Sequence, residues 1–229
     1  MPNIIYEDNH IIVVIKPQNM PTQEDNSKDL DLLSEIKDYI KQTYQKPGNV
    51  FVGLVHRLDR PTGGVMVFAK TSKAASRLST GIKDGSFEKT YLAVVTGKPR
   101  LGYGRLTHYL KKDEKENMVR IATQLETGSK LAELDYRTID TKNKMSLIKI
   151  NLLTGRSHQI RVQMSAIKCP VVGDTKYGEV KASTPLALWA AILKFNHPTT
   201  GKRMSFCVFP PQDAPWNSFN INTTLNIDS

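Results

Sequence analysis

Cysteine is nearly absent: the 229 residues contain only Cys169 and Cys207. They stand far apart among apolar neighbours, which argues against a disulfide framework and for reduced, buried thiols. Long apolar runs are missing as well. Stretches such as Ile11 to Ile15 fall far short of the ~20 residues needed to cross a bilayer, and the N-terminal MPNIIYEDNH has no basic region followed by an apolar one. The expectation is a cytoplasmic protein with no membrane partner. No GxxxxGKS, GxxxxGKT, HExxH or CxxC pattern occurs and the five histidines are scattered, so neither a metal nor a nucleotide cofactor is expected.

Acidic residues are also in short supply. Lys and Arg number 32 against 22 Asp and Glu, giving a net charge of +10 and a pI near 9.5, a balance that suits a polyanionic partner. The excess is uneven: residues 1–60 carry 7 basic and 9 acidic side chains, residues 61–229 carry 25 and 13. An apolar content of 39% and a charged content of 24% are ordinary for a globular chain of this size. A single catalytic-sized unit over 1–229 is expected, with a core of about 4–211 and a flexible tail from 216.

Strands are expected at Ile4–Glu7 and His10–Lys16 around an Asp8-Asn9 turn, then an amphipathic helix presenting Leu32, Leu33, Ile36, Tyr39 and Ile40. Phe51–Val55 and Val65–Ala69 read as strands, SKAASRLSTGIKDG as a helix capped by Ser72, and Phe87–Thr96 as a strand. Further strands are expected at 105–111, 118–122, 131–139, 145–153, 185–195 and 204–209. Their connections are too short for crossover helices, so most should pair antiparallel. The class is α+β, strand-rich with few helices.

Three stretches carry candidate chemistry. Between the strands at 51–55 and 65–69 lies His56-Arg57-Leu58-Asp59-Arg60, more charge than a turn made by Pro61, Thr62, Gly63 and Gly64 requires. Continued extension would put Arg57 and Asp59 on one side, an arrangement that serves structure as well as catalysis. In KTYLAVVTGKP, Tyr91 is either half-buried core or a ring offered to a cleft. In LLTGRSHQIRVQMSAIKCPVVGDTKYG, Ser157 reads as a cap and Ile160, Met164 and Ile167 as a core stripe. Arg161 borders that stripe and needs a partner: Asp59, another acid, or solvent.

Together these stretches resemble the RluA-type family of RNA pseudouridine synthases. HRLDRPTGGVMVFAK is similar to the family's catalytic motif, EKTYLAVVTGKP to its tyrosine motif, and TGRSHQIRVQ with PVVGDTKYG to its arginine-bearing helix and following loop. The resemblance runs from about Ile4 to Pro211. It implies a largely antiparallel mixed β-sheet with flanking helices and a central RNA-binding cleft. It also implies Asp59 as the catalytic aspartate, Tyr91 as the ring stacking on the target uracil, and Arg161 as the partner of the catalytic carboxylate. Arg57 matches the arginine entering the RNA stack and Ile160 an apolar residue near the base, and substrate contact is expected to extend to His56, Arg156 and His158. The implied substrate is RNA, ribosomal or transfer, modified by a monomer without a cofactor or a separate N-terminal RNA-binding domain.

The sequence departs from the family pattern in IKPQNMPTQ, which keeps Lys16-Pro17 but lacks the usual glycine and histidine, and at Gly63, Gln163 and Lys168. A left-handed cap at Lys168 would cost roughly 1 kcal/mol. Two alternatives stand beside the synthase reading. One is an N-glycosidase releasing uracil, disfavoured by the lack of a second well-placed acid. The other is a non-catalytic RNA-binding module, which would need no such set as Asp59, Tyr91 and Arg161.

Overall fold

The computed structural model describes residues 1–178 and 184–221. In chain order the elements begin with β1 (Asn3–Glu7), β2 (Ile11–Lys16), α1 (Leu32–Thr43), β3 (Gly53–Leu54), β4 (Gly63–Ala69) and α2 (Ser72–Asp84). Then come β5 (Glu88–Thr96), β6 (Tyr103–Asp113), β7 (Met118–Ala122), β8 (Lys130–Lys142) and β9 (Met145–Leu152). The series closes with α3 (Gln159–Ala166), β10 (Leu188–Asn196), β11 (Arg203–Cys207) and a 3-10 turn at Trp216–Ser218. Every strand pair with a described register is antiparallel. The strand-rich α+β class therefore holds. The chain divides into two compact units, Met1–Lys89 with Ala190–Val208, and Thr90–Trp189 with the residues from Phe209 onward.

In the first unit the strands run β1-β2-β4-β10, with β11 on β10 and β3 on β4. Unbroken apolar runs explain the placement of β2 and β4. IIVV and GGVMVFA do not alternate, so both faces of these strands require cover, and Ile11–Val14 and Gly63–Ala69 are all buried. Gly64 permits an unusually close approach. Its φ is +128°, and a Cβ there would lie 2.2 Å from the Ala190 carbonyl oxygen. Helix α1 buries Leu32, Ile36 and Ile40, and its N-cap Asp31 accepts from Ser34 N. Tyr39, which sequence periodicity put in the core, instead sends its hydroxyl to Glu7 at 3.0 Å, where Tyr44 and Lys70 also donate.

In the second unit the strands run β5-β9-β8-β6-β7. Leu110, Val119, Ala132 and Val162 form a small core there, with Tyr177 packed against it. Helix α3 is buried along Gln159–Met164, so it is no surface helix with a single stripe. Its glutamines satisfy strand carbonyls: Gln159 Nε2 donates to Glu133 O, and Gln163 Nε2 to Leu106 O and Ala132 O. Gln163, a departure from the family pattern, thus tethers α3 to β6 and β8.

Local readings differ from the structure where a neighbour offers better geometry. Helix α2 is capped by Thr71, whose side chain accepts from Ala74 N, not by Ser72. Before α3 the cap position belongs to His158 at φ +49°, without a side-chain cap bond, not to Ser157. Phe51–Val55 is strand only at Gly53–Leu54, and Phe51 is 51% exposed. Lys168 does adopt the left-handed conformation, at φ +59°. Cys169 and Cys207 form no disulfide; Cys169 is buried as expected, while Cys207 is only half-buried. Trp216 and Phe219 are buried; the rest of the expected flexible tail, residues 222–229, lies outside the described residues.

Gly64→Ala should destabilise the protein by about 3 kcal/mol or more, because the new methyl would meet backbone and not a yielding side chain. Gly201→Ala, where φ is also positive but the space is open, should cost only about 1 kcal/mol. Chemical denaturation of the two variants checks the contrast.

Candidate active site

In the first unit the loop between β3 and β4 carries His56, Arg57 and Asp59, and its backbone is held at successive points. Thr22 Oγ1 donates to Leu58 O at 2.8 Å and accepts from Leu58 N at 3.3 Å. Asp59 O accepts from Thr62 N at 2.9 Å, closing a turn. Gln18 Nε2 reaches Pro61 O at 3.1 Å. Lys16, with no exposed surface, donates to Pro17 O, Met20 O and Arg60 O at 3.0, 2.6 and 3.0 Å. Burial pushes the Lys16 ammonium down to about 7, opposed by the attraction of Asp59. Leu58 is buried, Asp59 half-buried and Arg57 exposed, so the loop anchors an apolar side chain between less buried charged neighbours.

His56 is locked differently. Its Nε2 accepts from Val67 N at 3.2 Å, and its ring meets Phe87 edge-on at 5.2 Å. Nδ1 is sealed from water with no partner. Burial, with the Lys89 charge, lowers the ring to about 3, so His56 is neutral at ordinary pH and braces β4. Arg60 is tied outward to Asp29 and Ser27.

In the second unit Tyr91 lies on β5 with 6% exposure, and Ile160 and Arg161 on α3 with 4% each. The structure pairs Arg161 with Asp174: Nε to Oδ2 at 2.8 Å and Nη2 to Oδ1 at 2.7 Å, a two-pronged bond between buried groups. Sequence reasoning proposed Asp59 or another acid and did not find Asp174, thirteen residues along in VVGDTKYG. The acid was visible in that motif, but spacing cannot reveal that the loop folds back. Burial alone would raise the Asp174 carboxyl; hydrogen bonds and charge from Arg161, with the Lys176 and Tyr177 amides, bring it below its usual range. The Arg161 guanidinium also lies over the Tyr177 ring at 5.1 Å. The Tyr177 hydroxyl accepts from Val119 N at 2.7 Å and lies 2.7 Å from His158 Nδ1. His158 is therefore joined to the support of Arg161. Arg156 keeps its charge exposed while Nε donates to Leu131 O at 2.8 Å. Gly173, at φ +80°, brings this loop against the Pro185 carbonyl, 2.3 Å from where a Cβ would stand.

Among the described residues no group of three or more His, Cys, Asp and Glu is arranged to hold a metal ion. Taken separately, the first unit carries a half-buried carboxylate on a fixed loop, and the second a rigid buried guanidinium and a tyrosine ring.

The family model described as RNA pseudouridylate synthase matches residues 10–166. A relative named ribosomal large subunit pseudouridine synthase D, from Zymomonas mobilis, is 35% identical over 92% of the chain and 69% of its own length. One named ribosomal large subunit pseudouridine synthase C, from Rickettsia bellii, is 34% identical over 78% of the chain and 57% of its own length. In fold, the structure resembles human RNA pseudouridylate synthase domain containing 4 with a TM-score of 0.77 at 20% identity, covering 92% of this chain and 89% of that one. It also resembles human RNA pseudouridylate synthase domain containing 1 with a TM-score of 0.73 at 24% identity, covering 95% and 87%. These define an RNA-modifying isomerase fold. The chain belongs to the RNA pseudouridylate synthase family, and its reaction is conversion of uridine in RNA to pseudouridine.

Asp174→Asn should leave the Arg161 charge buried beside a neutral amide, costing about 3–5 kcal/mol of stability. With Arg161 in the orienting role that its motif implies, turnover should fall more than the unfolded fraction explains, because the guanidinium loses its orientation. Thermal unfolding combined with single-turnover rates on the folded fraction measures both effects.

Proposed function

We propose that the chain modifies ribosomal RNA of the large subunit, with Asp59 as the catalytic carboxylate, Arg161 as its orienting cation and Tyr91 as the ring against the target uracil. The match of three long motifs to one family carries this reading, and the printed names of the most similar relatives favour ribosomal over transfer RNA. The residue roles rest on motif correspondence. Their environments are compatible with them: Asp59 on a pinned backbone, Arg161 in a rigid planar grip, and Tyr91 at the edge of accessibility. Two free thiols accord with a reducing compartment, and we place the enzyme in the cytoplasm, acting as a monomer.

Isomerisation breaks the bond from N1 of uracil to C1′ of the sugar, turns the base, joins C5 to C1′, and loses the C5 proton while N1 gains one. Atoms balance without an oxidant or a second substrate. The uridine must first leave its stack, at roughly a few kcal/mol. Arg57, exposed on the Asp59 loop, fills the space it leaves; Ile160 and Tyr91 confine the free uracil so that it turns without escaping. Asp59 supplies the carboxylate, either by adding to the substrate or by taking a sugar proton to give a glycal and returning it as C5 joins C1′. His56, neutral and sealed, serves this site by bracing β4. His158 serves through Tyr177, and exposed Arg156 meets phosphate.

Asp59→Asn should form no pseudouridine in a large-subunit ribosomal RNA transcript, while retaining the wild-type melting temperature and most of its RNA affinity. Pseudouridine mapping of the treated transcript measures this, and detectable product from the purified variant removes Asp59 from the reaction. Free uracil released by the wild type would favour the N-glycosidase reading instead.

A further inference from the structure

We propose that one end of the second unit's sheet, built from the loop after β5 and the β8–β9 hairpin, is a docking surface for the RNA backbone, separate from the residues that act on the uridine. The loop from Gly97 to Gly102 is tied to the hairpin at both ends: Gly97 N donates to Lys144 O at 2.7 Å, Ser146 Oγ to Gly97 O at 2.7 Å, and Thr138 N to Gly102 O at 2.7 Å. Pro99 is buried between two exposed cations, Lys98 and Arg100. Across from them, Lys142 and Lys144 are exposed at the hairpin tip.

On the adjoining sheet face, Tyr103 of β6 stands opposite Arg137 of β8, which in turn stands opposite Lys149 of β9. Tyr103 is 73% exposed. Two like charges placed directly across strands repel, and among the described residues neither Arg137 nor Lys149 forms an ion pair. The nearby carboxylate Asp135 is taken in a two-pronged bond by Arg105. Segments 97–103 and 137–149 together hold six cations and one acid, Asp140, and that acid is paired with Lys142. Uncompensated cations around an exposed aromatic ring suit a single-stranded polyanion whose bases stack: phosphates between the like charges and a base on the ring.

RNA is the occupant this commits to, an inference that rests on the pseudouridine synthase reading. Tyr91 precedes Thr96, the last residue of β5, by five positions, roughly 17 Å at strand rise. The surface would therefore grip nucleotides away from the target uridine, adding affinity without taking part in the chemistry.

The test is binding of a fluorescently labelled large-subunit ribosomal RNA transcript across a salt series, with single-turnover rates at saturating enzyme. The triple variant Lys98→Glu, Arg100→Glu, Lys144→Glu should bind at least tenfold more weakly near physiological salt. Its slope of log affinity against log salt should be shallower by roughly 2, while the saturated rate stays within about twofold of wild type. A control triple on exposed lysines of the first unit, Lys41→Glu, Lys73→Glu, Lys83→Glu, should retain the wild-type slope. Tyr103→Ala should weaken binding about tenfold with the slope unchanged. An unchanged slope in the first triple, or an equal loss in the control, overturns the proposal. Absence of pseudouridine from the wild-type reaction would instead defeat the functional reading, since the salt slopes still score the surface.

Discussion

An ammonium sealed from water must find acceptors within the protein or lose its proton, and Lys16 finds three carbonyl oxygens. Two belong to the chain leaving β2; the third is Arg60 O, forty-four residues further on and next to Asp59. Removing the charge from water costs several kcal/mol as an order of magnitude, so the site exists only while all three carbonyls converge. Geometry favours the charged form, since a neutral amine has two hydrogens for three acceptors, and the negative Asp59 favours it as well. The consequence is a loop whose position is set by backbone. With Thr22 at Leu58 and Gln18 at Pro61, the residues flanking Asp59 are fixed by contacts to their backbone.

The second unit solves a similar problem by another route. Arg161 cannot lose its charge, so burial demands a matching acid, and Asp174 supplies a planar, two-pronged partner. The surrounding chain holds that acid in turn through the Lys176 and Tyr177 amides, and Tyr177 is anchored by Val119 N. Each charged group thus depends on hydrogen bonds that lie two residues or more away from it. Substitutions that touch no reacting atom should therefore still alter the reaction.

Much of this was legible in the sequence. The apolar runs of β2 and β4, the helical spacing of α1 and the three motifs were enough for the class and the family, and the motifs supplied the candidate residues from His56 to Arg161. Tyr39 and Phe51 were misplaced because periodicity marks a face without saying whether a carboxylate such as Glu7 waits to receive a hydroxyl. Thr71 and His158 displaced the expected serine caps because helix starts are settled by one or two backbone angles. Lys16 and Asp174 escaped for a deeper reason. Their partners are brought together by the fold, and a lysine or aspartate in a motif reads the same whether it meets water or three buried carbonyls.

The central claim is that buried Lys16 fixes the backbone around Asp59. Hydrogen exchange of Lys16→Met, read at individual amides beside single-turnover rates, tests it most directly. The account predicts lost protection at Leu58 and Thr62, retained protection in β2 and β4 at Val13 and Val67, and a rate lowered by at least tenfold with RNA affinity preserved. Wild-type protection at Leu58 and Thr62 together with wild-type turnover would contradict it.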